Sequence, residues 1–295
     1  MAKALVLAES VDAQRALAAG ARTVADEVAL VVVAGTPETG VADKAYDIQL
    51  PAGEAAENAY ETVKSVYDQV APEVVFFEPT ASLKIIAGKL AAAAGAAIIA
   101  NITGLEGKVA TNAYFGGLAE KKQTAAGVAF YSNTGALFAD AAATGTDAVE
   151  AVAFVEPAKK IVVKGSSPVV LEGADLTKSD VVVGVGRGFA EQDQLKLAED
   201  LAAKVGGDCG CSRPVAENLG WMARNLYIGV SGVECAPKAY IAAGISGQMQ
   251  HMVGVKNAGT IFAINKDANA PIFKQCDYGI VGDVTVILPE LIAAL

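Results

Sequence analysis

The sequence predicts an α/β protein of two domains, the second built on a Rossmann-like parallel sheet, and three observations carry that prediction. Short apolar runs alternate with helical stretches over the first hundred residues and again from residue 180 onward, the pattern of a mostly parallel sheet flanked by helices. Runs such as 28–34 are continuously apolar rather than alternating, which marks strands covered on both faces. Between the two regions, residues 157–180 carry charges, Gly165-Ser-Ser-Pro168 and little amphipathic pattern. The expected division is therefore a first domain over 1–165, a linker over 166–179 and a second domain over 180–295.

Composition narrows the classes of function. Hydrophobic residues make up 53% of the 295 and the mean hydropathy is +0.38, an excess owed chiefly to alanine and valine. The longest weakly apolar run, 90–100, is broken by glycine and too short to span a bilayer. An extensive subunit interface would account for the surplus apolar surface. A net charge of −10 argues against nucleic acid or anionic lipid as the main partner. Cys209, Cys211, Cys235 and Cys276 form no C-x-x-C pair, so small buried residues are expected rather than ligands. With no targeting segment before the first strand, a reducing cytoplasm is the expected compartment.

In chain order, residues 4–8 read as a buried strand and 12–25 as an alanine-rich helix. Strands are expected at 28–34 and 46–50, a helix at 53–70, a strand at 73–77, a helix at 84–94 and a strand at 97–100. After Asn101 the pattern shifts to shorter β segments at 107–113 and 125–131 around Phe115-Gly-Gly117, with Lys121-Lys122 as a solvated turn. Ile161-Val-Val163 is a candidate last strand of the first domain. This half offers no phosphate loop, metal cluster or nucleophile arrangement, and its expected role is architectural.

The second half carries the chemistry. Val181-Val-Val-Gly-Val-Gly-Arg-Gly188 is an apolar strand ending in a glycine-rich turn, and Leu195, Ala198, Ala202 and Val205 mark the buried stripe of the following helix. Strand, glycine turn and helix suit a pyrophosphate or ribityl chain, although the G-x-G-x-G spacing departs from the strict dinucleotide fingerprint. Other apolar runs end in Cys211-Ser-Arg-Pro214, Gly244-Ile-Ser-Gly247, Asn265-Lys-Asp267 and Gly279-Ile-Val-Gly-Asp283. A parallel sheet places all these turns on one edge, where they can wrap a long ligand. Ser246 can cap a helix there and Gly247 can let the backbone approach a ligand. Arg187 reads either as a surface arginine or as a cation facing the ligand. His251, the single histidine, reads either as a group satisfied by a backbone carbonyl or as a titratable ligand contact. Trp221 reads as core.

The segments Cys211-Ser-Arg-Pro-Val-Ala-Glu217, Gly244-Ile-Ser-Gly-Gln-Met-Gln-His251, Thr260-Ile-Phe-Ala-Ile-Asn-Lys-Asp267, Ala270-Pro-Ile-Phe273 and Asp277-Tyr-Gly-Ile-Val-Gly-Asp283 closely resemble those of electron transfer flavoprotein α subunits. The likeness covers nearly the whole chain, and the short first half and the Ser-Arg-Pro-Val-Ala-Glu segment resemble most the Fix and carnitine-metabolism branch. The resemblance implies a nucleotide-hydrolase-like first domain and one FAD held mainly by the second. It also implies a heterodimer with a β subunit, swinging of the FAD domain about a linker near Pro168, and no insertion into a membrane. Implied redox partners are an acyl-CoA dehydrogenase-like flavoprotein and a quinone oxidoreductase or ferredoxin, served by simple relay or by flavin-based bifurcation.

Residue by residue, the resemblance puts Arg187 and Gly188 on the glycine turn beside the flavin, Ser212 on a flavin-binding serine and Arg213 against the isoalloxazine. Ile228, Gly229, Val230 and Ser231 match the loop bonding N5, with Val230-Ser231 standing where the family commonly has Gln-Thr. Gly244, Ser246, Gly247, Gln248, Met249, Gln250 and His251 match the helix-start segment, His251 near O2. Asn265, Asp283 and Val284 match positions along the ADP half. The competing expectation is an NAD-dependent oxidoreductase on a similar sheet, with His251 as its general acid or base.

Overall fold

The computed structural model describes residues 1–115, 119–167, 171 and 173–295, and the chain divides into two compact units, 1–167 and 168–295. Gly117 of the expected turn and Pro168 of the expected linker lie outside the described residues.

In the first unit, β1 (Lys3–Leu7), α1 (Val11–Arg22), β2 (Glu27–Val32), β3 (Lys44–Gln49), α2 (Tyr60–Val70), β4 (Val74–Phe77), α3 (Ala81–Ala93) and β5 (Ala97–Ile99) follow the alternation seen in the sequence. Helices α1 and α3 begin where side chains can satisfy first-turn amides: Ser10 accepts from Ala13 N, and Thr80 from Leu83 N. Then come β6 (Gly104–Glu106), β7 (Val109–Tyr114), β8 (Ala119–Gln123), β9 (Ala129–Ser132) and β10 (Val149–Ala153). The main sheet is parallel, in the order β10-β3-β2-β1-β4-β9-β5. Its two faces are packed by separate apolar clusters, one under α1 and one under α2 and α3, so its inner strands need apolar residues at every position.

Two expectations change. Lys121-Lys122 is not a turn: both residues lie in β8, paired with Asn112 and Thr111 of β7 in an antiparallel three-stranded sheet whose lysines face solvent. Ile161-Val-Val163 is not a strand. It runs exposed, tied by the Asn58 side chain, whose Oδ1 accepts from Ile161 N at 2.8 Å while Nδ2 donates to Ile161 O at 2.9 Å. The outer strand beside β3 is instead β10, mostly exposed and therefore without the apolar run that marks a covered strand.

At the carboxyl edge of this sheet, side chains tie the turns after β1, β2 and β4 to one another. Glu78, just past β4, accepts from the backbone N of Glu9 at 2.7 Å, the backbone N of Ser10 at 3.0 Å and Ser10 Oγ at 2.8 Å. Fully buried Gln14 joins the turns after β1 and β2, donating to Glu9 O and Thr36 O and accepting from Glu38 N at 2.7 Å. The amides of Glu9 and Ser10, which lead into α1, thus already hold a carboxylate.

The second unit is one six-stranded sheet. It comprises β11 (Val181–Val185), α4 (Leu195–Val205), β12 (Asp208–Ser212), β13 (Tyr227–Ile228), β14 (Ala239–Ala243), α5 (Met249–Met252), β15 (Thr260–Asn265), β16 (Tyr278–Val281) and α6 (Val284–Ala294). All strands are parallel, in the order β13-β12-β11-β14-β15-β16. The chain winds outward from β11 to β13, then crosses back to β14 and winds the other way, so the switch point lies between β11 and β14. Within the expected linker, Leu176 is buried in this unit's core. Trp221 packs partly buried against the same core. Glu78→Ala strips three hydrogen bonds from the first unit; it should cost about 2 kcal/mol, since bonds to a charged acceptor contribute more than neutral ones. Urea unfolding would show this as a lower midpoint, and an unchanged midpoint would mean that water replaces the carboxylate.

Candidate functional site

The six strand ends and the turns that follow them line one crevice of about 420 Å³, within the size range of cofactor pockets. Its floor is the switch point. There the turns after β11 and β14 touch backbone to backbone: Gly186 N donates to Ala243 O at 2.9 Å and Gly188 N to Gly244 O at 3.0 Å. A Cβ on Gly186 would lie 2.1 Å from Gly244 O, and one on Gly188 would lie 2.5 Å from Gly244 Cα. The glycines thus serve protein–protein approach first, and Arg187 projects exposed from the summit of the turn onto the crevice.

From β12, Ser212 and Arg213 enter the site. The chain then makes a single π-turn over Pro214–Asn218, closed by Leu219 N donating to Pro214 O at 3.0 Å. Such turns are rare and cluster at functional sites. This one folds Glu217 back onto Arg213 Nε, and the other oxygen of Glu217 accepts from Arg224 at 2.6 Å. The Arg213 bond, seconded by Arg224, holds the Glu217 carboxyl below its ordinary range. Arg213 itself is raised by the same partner.

After β13 the loop reverses within four residues. Gly229 has φ +130° and Ser231 φ +68°, a left-handed conformation that costs a non-glycine residue energy. The loop is pinned by Val230 N donating to Gln250 O at 2.8 Å and by the Tyr227 hydroxyl donating to Val230 O at 3.0 Å. Both bonds hold the exposed Ser231 hydroxyl at the crevice rim.

His251 forms the inner wall and is 8% exposed. Its Nε2 lies 2.6 Å from the hydroxyl of Tyr240, a fully buried residue of the central strand β14. Desolvation pushes the imidazole down to about 4, against a smaller upward pull from the Ile228 backbone. That pull falls short of a hydrogen bond, for Nδ1 is buried without a partner. His251 is therefore neutral at pH 7. Two further expectations change here. Ser246 caps nothing: α5 begins at Met249 behind Gln248 with no side-chain cap, and one turn of helix has little dipole. Gly247 faces Ile272, where a Cβ would lie 2.3 Å from the backbone nitrogen, so its close approach is to protein.

The far end of the crevice is built by β15 and β16. Asn265 donates to Ile245 O at 2.8 Å and accepts from Asp267 N at 2.9 Å, which commits its side chain to bracing the neighbouring turns. Asp283 caps α6, accepting from Thr285 N at 2.9 Å and Thr285 Oγ1 at 2.7 Å. Those bonds hold its carboxyl below the ordinary range. Val284 adds an apolar contact surface.

All the residues expected at the site line this crevice except Gly229, Gly247 and Met249. Gly229 is pressed against the Gln250 carbonyl, 2.3 Å from where its Cβ would be, and Met249 opens α5 without reaching the wall. The structure adds Gly186, Pro214, Tyr227, Ile245, Lys266 and Asp267, of which Tyr227 alone lies outside the turns that the sequence singled out. Among the described residues, the buried side-chain polar atoms without partners are Arg22 Nε, Ser212 Oγ and His251 Nδ1. Two of these three belong to residues of the crevice, and they fit a flat ligand with hydrogen-bonding edges, as the ring of FAD has. No group of histidine, cysteine and carboxylate residues able to hold a metal is present among the described residues.

The depressed His251 value has a consequence for stability. Unfolded, the ring titrates near 6.5; folded, near 4. Between those values the unfolded chain binds the proton first, so stability falls as pH drops through that window, by up to about 3 kcal/mol, and this contribution is flat above 6.5. The single histidine resonance should titrate near 4, and His251→Gln should make urea stability less steep between pH 6.5 and 4.5. A midpoint near 6.5 would refute the buried neutral ring.

Comparison with known proteins agrees with this geometry. Residues 175–256 match the electron transfer flavoprotein FAD-binding domain family. The chain is 50% identical over 146 residues to a putative electron transfer flavoprotein subunit, YdiR, of Escherichia coli, covering 50% of this chain and 47% of that protein. It is 56% identical over 121 residues to the FixB protein of an Escherichia coli strain, covering 41% of this chain and 39% of that protein. The matches thus span less than half the length of these relatives. Within the second unit, residues 175–256 thus carry an electron transfer flavoprotein FAD-binding domain, its cofactor is FAD, and the relatives of the chain include a putative electron transfer flavoprotein subunit and proteins named FixB.

Proposed function

We propose that the chain is the α subunit of a heterodimeric electron transfer flavoprotein. It pairs with a β subunit and passes electrons between an acyl-CoA dehydrogenase-like flavoprotein and a second carrier, a quinone oxidoreductase or ferredoxin. The observation that carries this reading is the pair of unpartnered buried atoms, Ser212 Oγ and His251 Nδ1, on a crevice rimmed by the guanidinium groups of Arg187 and Arg213. Bound FAD would supply the electron-accepting chemistry; the chain supplies orientation and charge.

Ser212 and Ser231 offer hydroxyls from two sides of the ring position, and His251 offers an imidazole edge. Arg213 brings a fixed cation to the place where negative charge would collect on reduction. Glu217 draws part of that charge away, and Arg224 in turn occupies the second oxygen of Glu217. Asp283 and the start of α6 suit the ribose and adenine end. The sheet order favours a dinucleotide over a mononucleotide, because the turns of β15 and β16 extend the crevice well past the switch point. The four cysteines, all unpaired, fit a reducing cytoplasm. An NAD-dependent reaction would need an accessible proton carrier beside the ring, and a buried neutral His251 serves that role poorly.

Co-expression with the β subunit should yield a yellow complex with a flavin absorbance spectrum, and a colourless complex would defeat the proposal. Within that complex Arg213→Ala should lower the flavin midpoint potential and Glu217→Gln should raise it, since one removes the cation and the other its partner. Spectroelectrochemical titration reads both, and shifts of the same sign would show that Arg213 does not face the ring.

A further inference from the structure

We propose that Tyr240 is a positioning residue for the site: its phenolic O–H donates to His251 Nε2 and so fixes this crevice-lining imidazole in one orientation and as the Nδ1–H tautomer. Tyr240 lies in the middle of β14 with no exposed surface. Its hydroxyl proton needs an acceptor. Among the described residues the group within hydrogen-bond reach is His251 Nε2, at 2.6 Å. The thiols of Cys211 and Cys235 also act electrostatically on the phenol, but they are themselves buried and protonated, pushed up to about 12 and about 11, and thiol sulfur is a weak acceptor.

The opposite arrangement, Nε2–H donating to the phenolic oxygen, would strand the tyrosine proton and also leave Nδ1 as a bare buried lone pair. Donation from tyrosine leaves a single group unmet, the Nδ1–H. The Ile228 backbone acts on the same ring, and an imidazole held in one tautomer gives the crevice wall a fixed hydrogen-bonding pattern that a ligand must match.

The backbone shows that room was made for this contact. Gly184 lies inside β11, where glycine weakens a strand, and a Cβ there would sit 1.9 Å from the Tyr240 hydroxyl oxygen. Gly184, Tyr240 and His251 form a stack running from the centre of the sheet to the site. The centroids of the last two rings are 6.0 Å apart and their planes tilted by 39°.

Because the chain has one histidine, ring-¹⁵N-histidine labelling of the full chain reports this imidazole alone, with or without FAD. At pH 7 the expected spectrum shows the proton on Nδ1 and a pyridine-type Nε2. Tyr240→Phe keeps the ring and removes the donor. It should shift the population toward the Nε2–H form that free imidazole prefers, and weaken FAD binding to the holo-complex by roughly threefold to tenfold, the loss of one neutral hydrogen bond's worth of alignment. Gly184→Ala should do the same by displacing the hydroxyl. A wild-type ring protonated on Nε2, or a tautomer unchanged in Tyr240→Phe, overturns the proposal; if that variant fails to fold, the wild-type spectrum decides alone. The flavin effect rests on the function proposed above, but the tautomer does not: an Nδ1–H ring in a chain that binds no FAD would defeat that function and leave the role of Tyr240 standing.

Discussion

The backbone contact between the turns after β11 and β14 is the constraint on which the second unit depends. Parallel strands separate at a switch point, and something must close the gap beneath any ligand that sits there. Here Gly186, Gly188 and Gly244 close it with their own peptides, leaving no room for a side chain. That contact fixes the height of Arg187, the direction in which the chain leaves Gly244, and through it the placement of Gln250 and His251. Val230 N then bonds Gln250 O, so the β13 loop inherits its position from the same floor. A site assembled from six separate turns becomes one surface because each turn is tied to a neighbour.

Charge is handled in two ways around that surface. The cations sit in solvent, and one of them is tempered by a carboxylate: Arg213 by Glu217, with Arg224 competing for the same partner. Exposed pairs of this kind add little to stability, so their value lies in setting a field. The buried groups are treated oppositely. Ser212 Oγ and His251 Nδ1 are withdrawn from water and given no protein partner, at a cost of about 1–3 kcal/mol each while nothing meets them. A fold keeps such unmet groups where a ligand satisfies them, and the left-handed Ser231 on the opposing loop is a strain of the same kind.

Much of this was legible in the sequence, for reasons that also explain what was not. Covered parallel strands need apolar residues at consecutive positions, and each must end in a turn, so 28–34 and 181–188 announce themselves. The strand Val149–Ala153 does not, because it is an outer strand with mostly exposed residues, and its partner β3 lies about a hundred positions earlier in the chain. Lys121 and Lys122 misled because consecutive lysines suggest a solvated turn, whereas an exposed hairpin strand accepts them on both faces. Gly247 and Gly229 carry positive φ and sit among ligand-facing residues, yet both approach other backbone rather than the crevice; sequence shows that a glycine is needed without showing what it approaches. The charge state of His251 depends on burial by elements far apart in the chain, which no local pattern encodes. A signal for its partner did exist: a glycine inside the buried strand 181–185 and a tyrosine inside the buried strand 239–243 both call for an explanation, and one contact explains both.

The first unit shows why the architecture alone would not have located the site. It too has a parallel sheet with apolar clusters on both faces and helices starting at its carboxyl edge. The amides leading into α1 are met by Glu78, and buried Gln14 spends all three of its hydrogen bonds on joining adjacent turns. In the second unit the corresponding edge keeps polar atoms unpaired and cations within reach. Two sheets of one class thus differ in whether the edge answers its own polar groups, and that difference, rather than strand order or helix count, separates the unit that carries the cofactor domain from the one beside it in sequence.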